Sequence, residues 1–241
     1  MSIALKANDK LDNEINDNIA INDDKLSVVT ETWWPFNHKN DHGEIVGSST
    51  GWVKKVLDNS EVPYDISLYP WHRSYQLALT QKNILIYSIF RSKDREHLFH
   101  WVCPLIDKPT QKIYKLRHRT DIVVNKEEDL GAYSINAVRG TYTQNYLVDI
   151  GLKENSNLHL ASDNDANLTM LLKGRVDLIV EVEEAIYQYV NDAGYNDDYV
   201  EEVYAFKDQP ALCMALSKNT ADDLVKKVRE AHQSLLIEKS H

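Results

Sequence analysis

Hydrophobic and polar positions along the chain follow two periods, an alternation typical of strands and a 3.6-residue repeat typical of helices. Apolar runs at residues 26–30, 64–69 and 83–88 predict strands. The segments between them, residues 48–59 and 72–81, place apolar residues on one helical face, and a Ser or Thr is expected to cap the first helix. Because strands and helices alternate, this part of the chain predicts a parallel sheet with helices on both faces.

A second set of elements of similar construction begins after Pro109. The pattern predicts strands at residues 111–117, 132–138, 157–161 and 176–182, and helices at residues 139–151, 163–174 and 183–194. Two further strands at residues 201–206 and 211–217 and a helix from Thr220 to Glu238 close the chain. Thr141 has the side chain of a helix N-cap, and Gly151 can end the same helix. Two β/α units of similar size predict an α/β protein with two lobes.

The first lobe is predicted to consist of two separate segments of the chain and the second lobe of one. We place the first lobe at residues 25–110 and 208–241 and the second at residues 111–207. The preceding polar extension, residues 1–24, is rich in Asn, Asp and Lys and has no apolar core of a signal peptide. If the protein is exported, we expect its signal sequence to have been removed from this chain. Because clefts between lobes are preferred small-molecule sites, we expect the functional residues there.

Composition and charge exclude several classes of function. The chain has 241 residues, of which 43% are hydrophobic and 27% charged, as in a soluble globular protein. A net charge of −10 without any Lys/Arg-rich run argues against nucleic-acid binding. The sequence contains no nucleotide-binding or hydrolase motif, and its histidines are scattered. We therefore expect no metal and no cofactor.

The two cysteines, Cys103 and Cys213, both lie in apolar runs and lack the spacing of metal ligands. We interpret them as buried thiols that behave as small hydrophobic residues. The alternative is a disulfide between two core strands, which would require an oxidising compartment.

Several side chains that could bind a ligand lie at or directly after the end of the strand at residues 83–88. Ser88, Arg91 and Arg95 follow one another there. An arginine presents a planar fork that can hold a carboxylate by two hydrogen bonds, and strand ends in α/β folds are where small ligands bind. The alternative is a solvated surface cluster in which the arginines pair with Asp94 and Glu96.

Other predicted strand ends carry similar chemistry. Trp33 follows the first strand and could pack over a ligand, or it could serve as a hydrophobic plug. Trp71 and Arg73 follow the second strand. In the second lobe, Arg139 and Thr141 stand at a strand–helix junction, where free backbone N–H groups favour an anion.

An acidic segment follows the strand at residues 176–182. Period-two alternation puts Glu181 and Glu183 on one side, where a carboxylate could bind an ammonium group. The alternative is that these acids belong to the first turn of the next helix, where its dipole favours them.

Five segments, taken in order, resemble the family 3 extracellular solute-binding proteins, which are the periplasmic amino-acid receptors of ABC importers. The segments are VVTETWWPFNHKNDHGEIVG, PWHR, SIFRSKDREHLFHWVCPL, EEDLGAYSINAVRGTY and LLKGRVDLIVE. The resemblance covers about residues 25 to 238. It implies a type II periplasmic-binding-protein fold, in which two α/β lobes joined by a two-strand hinge close on the ligand.

The resemblance also implies roles for individual residues. Arg95 would clamp the carboxylate of the ligand, with Thr141 near the same group, Trp33 over the ligand and Ser88 as a hydrogen-bonding neighbour. The acid that usually holds the ammonium falls at Val182 in this sequence. The resemblance therefore implies that Glu181 or Glu183 replaces it, or that the ammonium is held differently.

We expect a receptor rather than an enzyme, one that captures a small carboxylate-bearing solute such as an amino acid for an ABC importer. Arg73, Arg91 and Arg139 are candidates for a second acidic group, which would favour an acidic ligand. The expected partners are the solute and a membrane permease or sensor, and we expect a periplasmic monomer. The alternatives are an enzyme resembling cyclohexadienyl dehydratases, with Glu181 or Glu183 as general acid, or a sensor-type ligand-binding module.

Overall fold

A computed structural model describes residues 24–105 and 109–239, so residues 1–23 of the predicted polar extension lie outside the described part. The strands are β1 (Leu26–Thr30), β2 (His38–Lys39), β3 (Ile45–Val46), β4 (Tyr64–Leu68), β5 (Ile84–Phe90), β6 (Phe99–Val102), β7 (Gln111–Leu116), β8 (Ile135–Val138), β9 (Leu158–Ala161), β10 (Leu178–Val182), β11 (Val200–Ala205) and β12 (Leu212–Ser217). The α-helices are α1 (Ser48–Ser60), α2 (Trp71–Thr80), α3 (Tyr142–Asp149), α4 (Asn164–Leu172), α5 (Glu183–Asp192) and α6 (Asp222–Lys239). Three short 3₁₀ helices lie at Glu96–Leu98, Glu127–Ala132 and Asp197–Tyr199.

Two five-stranded sheets organise the chain into two α/β lobes, which confirms the predicted fold class. The first sheet has the order β4-β1-β5-β12-β6, and the second has the order β11-β7-β10-β8-β9. Three neighbouring strands in each sheet are parallel and the other two pair antiparallel. The predicted parallel arrangement of β1, β4 and β5 is confirmed. The antiparallel pairs are those that β12 makes with β5 and β6, and β6 and β12 carry the chain out of this sheet and back.

Apolar side chains fill both faces of each sheet. On one face of the first sheet, Val53 and Leu57 of α1 pack with Leu224 and Val228 of α6, and α2 covers the other face. The second sheet has two further clusters of the same kind. Since a fully buried side chain of this type contributes about 1.5–3 kcal/mol, these clusters stabilise each lobe around its own core.

One of the two predicted helix N-caps is found in the structure, and the other is not. The predicted N-cap Thr141 is confirmed, because its hydroxyl accepts a hydrogen bond from the Gln144 backbone N–H at 3.4 Å. The expected Ser or Thr cap of α1 is wrong, because Gly47 holds that position with a φ of +121°. A Cβ there would collide with the Phe36 backbone, so the approach of the β1–β2 loop requires glycine.

The two cysteines form a disulfide, so the interpretation as free thiols is wrong. Cys103 directly follows β6 and Cys213 lies in β12, and these strands are neighbours. Their Cα atoms are therefore only 4.8 Å apart, within the range that a disulfide spans. The bond joins the two segments through which the chain leaves and re-enters the first sheet.

The chain passes between the sheets after β6 and again after β11. The lobe boundaries predicted at residues 110/111 and 207/208 fall in these connections, and their exact positions stay a prediction. No helix within residues 24–105 and 109–239 is long and apolar enough to cross a membrane.

Candidate ligand-binding cleft

A cleft lies between the two lobes, where the carboxyl ends of strands from both sheets face each other. The first lobe lines it with Glu31, Trp33, Trp71, Ser88, Phe90 and Arg95, and the second with Gln111, Ala137, Val138, Thr141, Tyr142, Thr143, Asn164, Asn167, Val180 and Glu181. Its free volume is about 40 Å³, room for about three water molecules. The lobes therefore stand close together, and a larger solute would have to displace contacts between them.

Arg95 supplies the positive charge of this cleft. It follows β5, is only 3% exposed, and its Nη2 donates a hydrogen bond to the Gly140 carbonyl of the other lobe at 2.9 Å. The guanidinium carbon lies 5.0 Å from the centre of the Tyr75 ring and 5.7 Å from that of Trp71. Burial lowers the pKa of Arg95, although an arginine stays charged. No described carboxylate lies within ion-pair distance, so a buried cation remains available to an anionic ligand.

Two buried acidic side chains, Glu31 and Glu181, also line the cleft. Glu31 follows β1 and Glu181 lies near the end of β10, and they are 8% and 3% exposed. Burial raises the pKa of Glu31 to about 8, and repulsion from Glu181 and Asp163 adds to the effect. The Glu31 carboxylate has no hydrogen-bond or ion-pair partner in the described part of the chain. An unpartnered buried acid of this kind favours a cationic group beside it.

Glu181 differs from Glu31 because its carboxylate accepts hydrogen bonds from other residues. Its Oε1 accepts hydrogen bonds from Trp33 Nε1 at 2.8 Å and from the Val182 backbone N–H at 2.9 Å. Burial raises its pKa to about 7, and the two hydrogen bonds oppose this rise. Because Trp33 and Glu181 belong to different lobes, this bond also closes the cleft.

Trp71 and Gly140 form another contact between the lobes. The Trp71 indole donates to the Gly140 carbonyl at 2.7 Å, the same oxygen that Arg95 contacts. Gly140 directly precedes Thr141, the N-cap of α3. Arg95 is thus held beside the N-terminus of α3, and a helix N-terminus itself favours an anion.

The other predicted first-lobe residues also lie at the cleft. Trp33 packs against Phe36 and Phe90, with ring centres 4.6 and 6.1 Å away. Ser88 is buried and donates a hydrogen bond to the Asn37 side-chain oxygen at 2.5 Å. The structure thus brings five predicted residues together at the cleft, namely Trp33, Trp71, Ser88, Arg95 and Thr141.

Three predicted arginines lie outside the cleft. Arg91 is exposed and forms an ion pair with Glu96 at 2.5 Å. Arg73 is exposed and lies over the Tyr69 ring, 4.4 Å from its centre. Arg139 lines a groove on another part of the second lobe. These positions remove the structural reason for expecting a second acidic group on the ligand.

Glu183 also lies outside the cleft, where it forms an ion pair with Lys112 at 3.1 Å. The strand ends at Val182 and α5 begins at Glu183, so the period-two alternation that would align it with Glu181 stops one residue too early. Of the two acids considered from the sequence, Glu181 is the one that lines the cleft.

Several lining residues were missed by the sequence reasoning. Glu31 and Asn164 each stand at a strand end or helix start, the same signal that identified Trp33, and could have been found. Gln111, Thr143 and Asn167 carry no such signal, because only the packing of the two lobes brings them to the cleft.

Neither a protein-family model nor a curated protein sequence matches the chain. Solved structures do. An ancestral arginine-binding protein bound to arginine is 18% identical with a TM-score of 0.75, covering 90% of this chain and 94% of that one. The arginine-, lysine-, histidine-binding protein ArtJ from Geobacillus stearothermophilus is 18% identical with a TM-score of 0.75, covering 90% and 91%.

A histidine kinase sensor domain with similarity to periplasmic binding proteins has a TM-score of 0.77 at 14% identity, covering 90% of this chain and 92% of that one. At such low identities these likenesses show the fold. The two-lobed chain thus has the fold of periplasmic binding proteins, as its sequence predicts.

Proposed function

We propose that this protein is a solute-binding receptor that captures an amino acid in the cleft between its lobes. The carboxylate of the solute binds Arg95, and a cationic group of the solute binds Glu31 and Glu181. The observation that carries the proposal is that buried Arg95 and the buried carboxyl groups of Glu31 and Glu181 line one cleft without an ion pair between them. Unpaired buried charges destabilise a protein, so their persistence in a cleft indicates a ligand that neutralises them.

The charges favour a basic or neutral amino acid over an acidic one. Arg95 is the sole cationic side chain among the described residues that line the cleft, whereas two carboxylates line it. An acidic side chain would meet Glu31 and Glu181 without a compensating arginine, and like charges in a closed site repel. The structurally similar proteins that bind arginine, lysine or histidine agree with this preference.

We infer that the receptor works outside the cytoplasm, in the periplasm, as a monomer that delivers its solute to a membrane ABC permease. The Cys103–Cys213 disulfide supports an oxidising compartment. Closure of two lobes on a solute gives a permease a shape to recognise. The second candidate is a sensor module, favoured by the similarity to a histidine kinase sensor domain. Since the similar structures include binding proteins and a sensor domain, we prefer binding to catalysis.

The test is a thermal-shift titration of the protein with L-arginine, L-lysine, L-histidine and L-glutamate. At a hundredfold excess over Kd a solute stabilises by about 2.7 kcal/mol, which for a chain of this size raises Tm by about 5–10 °C. We expect that shift with a basic amino acid and none with L-glutamate. A larger shift with L-glutamate would contradict the assignment of a cationic ligand group.

Two arginine variants locate the site. Arg95→Ala should keep the fold, as judged by circular dichroism, and lose the ligand-induced shift, because the carboxylate anchor is gone. Arg91→Ala is the matched control, because Arg91 is exposed and paired with Glu96, and it should keep the shift. An undiminished shift in Arg95→Ala would refute the proposed anchor.

A further inference from the structure

Gln111 stands where the chain enters the second lobe. It is the first residue of β7, follows the connection from the first sheet, and is 7% exposed. Its side chain lines the cleft, although the residue lies at the root of the lobe rather than on a loop. A buried amide costs free energy unless its donors and acceptors find partners.

The backbone of Gln111 is held by the side chain of Gln209, which lies on the returning connection. Gln209 Oε1 accepts a hydrogen bond from the Gln111 N–H, and Gln209 Nε2 donates to the Gln111 carbonyl, both at 3.0 Å. Gln209 is itself buried. The two connections between the lobes are therefore joined at Gln111, which fixes the position of its Cα.

The side chain of Gln111 is oriented by a second contact. Its Oε1 accepts a hydrogen bond from the Thr143 hydroxyl at 3.0 Å. That bond occupies the amide oxygen, and no described residue accepts a hydrogen bond from the amide nitrogen. A donor with a fixed position and no protein partner thus faces the cleft, which is the arrangement expected of a preorganised ligand contact.

The surroundings identify the ligand group that this donor meets. Thr143 lies in the first turn of α3, two residues beyond the N-cap Thr141. Arg95 contacts the Gly140 carbonyl, which directly precedes that cap. Arg95 and Gln111 therefore both contact the segment Gly140–Thr143 at the start of α3, where the helix dipole favours an anion, and both side chains carry N–H donors.

We propose that Gln111 Nε2 donates a hydrogen bond to the carboxylate of the bound solute, making Gln111 a ligand-binding residue at the hinge side of the second lobe. This inference rests on the proposed function, since it takes the carboxylate bound by Arg95 as given. A neutral donor adds directionality without adding a second buried positive charge. Because Gln209 holds the same residue, a bound solute is tied to both connections between the lobes.

The test measures the affinity of L-arginine and of agmatine, which lacks the carboxylate, by isothermal titration calorimetry. Hydrogen bonds to charged groups contribute enough that Gln111→Leu should weaken L-arginine binding about 10- to 100-fold. Gln111→Glu should weaken it at least as much, because a carboxylate there repels that of the solute. Agmatine binding should stay within about twofold of the wild type in Gln111→Leu. Gln76→Glu, an exposed position on α2, is the control for the same chemical change elsewhere.

The outcomes separate this inference from the proposed function. If the wild-type protein binds none of the basic amino acids of the thermal-shift titration, or if Arg95→Ala binds L-arginine normally, the proposed basic amino-acid site fails and the inference with it. If wild type binds, Arg95→Ala does not, and both Gln111 variants bind L-arginine like the wild type, only the inference is overturned. An equal loss for agmatine would also overturn it, since Gln111 would then act through the fold. If a Gln111 variant does not fold, Thr143→Val tests the same contact, because it removes the hydrogen bond that orients the Gln111 amide. This variant should weaken the binding of L-arginine and leave the binding of agmatine unchanged.

Discussion

Replacing Glu31 by glutamine should make the ligand-free protein more stable at neutral and alkaline pH. Glutamine has the same shape and carries no charge, so Glu31→Gln removes a buried acid without creating a cavity. The Glu31 carboxylate has no described partner, and Glu181 and Asp163 add repulsion to its burial. The unfolded state relieves this penalty by exposing the carboxylate to water, and the variant abolishes it.

The size of the effect follows from the pKa of Glu31, which rises from an ordinary 4.5 to about 8 on folding. In the folded state the proton is held more tightly, so stability falls as pH rises through the interval between these two values. With about 1.4 kcal/mol for each pKa unit, Glu31 destabilises the wild type by about 3 kcal/mol at pH 7. The penalty reaches about 5 kcal/mol above pH 8.

The assay is urea unfolding of the wild type and Glu31→Gln at pH 5, 7 and 8.5. The difference in unfolding free energy should be less than about 1 kcal/mol at pH 5 and should grow to several kcal/mol at pH 8.5. Glu184→Gln, at an exposed position of α5, is the control and should differ from wild type by about 0.5 kcal/mol or less at every pH. A difference that does not change with pH, or a less stable Glu31→Gln at pH 8.5, would refute the reasoning.

The remaining predictions concern the disulfide and the protons of the cleft. Replacing Cys103 and Cys213 together by serine should lower stability by about 2–5 kcal/mol in urea unfolding, and an equal stability with and without reductant in the wild type would contradict this. Binding of L-arginine at pH 7 should release protons, because a cation beside Glu31 and Glu181 lowers their raised pKa values. Calorimetry in buffers of different ionisation enthalpy measures that release, and buffer-independent heats would argue against it.

Most elements could be predicted from the sequence because their signals are local. The apolar run of β5 and the capping threonine of α3 act within a few residues, so periodicity and side-chain type suffice to find them. Strand direction is not local. That β12 runs against β5 depends on the chain leaving the first sheet and returning from the second, which no periodicity records.

The residues of the cleft also divide into those with a local sequence signal and those placed only by tertiary structure. Trp33 and Arg95 follow strands directly, and strand ends in an α/β fold converge, so their neighbourhood could be predicted. The choice between Glu181 and Glu183 depends on the single residue at which strand gives way to helix, which is finer than sequence patterns resolve. Gln111 lines the cleft because the two lobes pack together, and its backbone is held by Gln209, a residue 98 positions away. Only the tertiary structure shows that contact.

The ionisable groups buried in the cleft, Arg95 and Glu31, lower the stability of the protein but provide binding groups for a solute. Arg95 and Glu31 are both buried in the first lobe, yet neither is neutralised by an ion pair in the described structure. Pairing them with each other would offset part of their desolvation penalties, but it would leave no cation for the carboxylate of a solute. Because Arg95 and Glu31 are not paired, each can bind the group of opposite charge on a zwitterionic solute. Glu31→Gln should therefore gain stability and lose affinity for a basic amino acid at the same time, since one penalty underlies both.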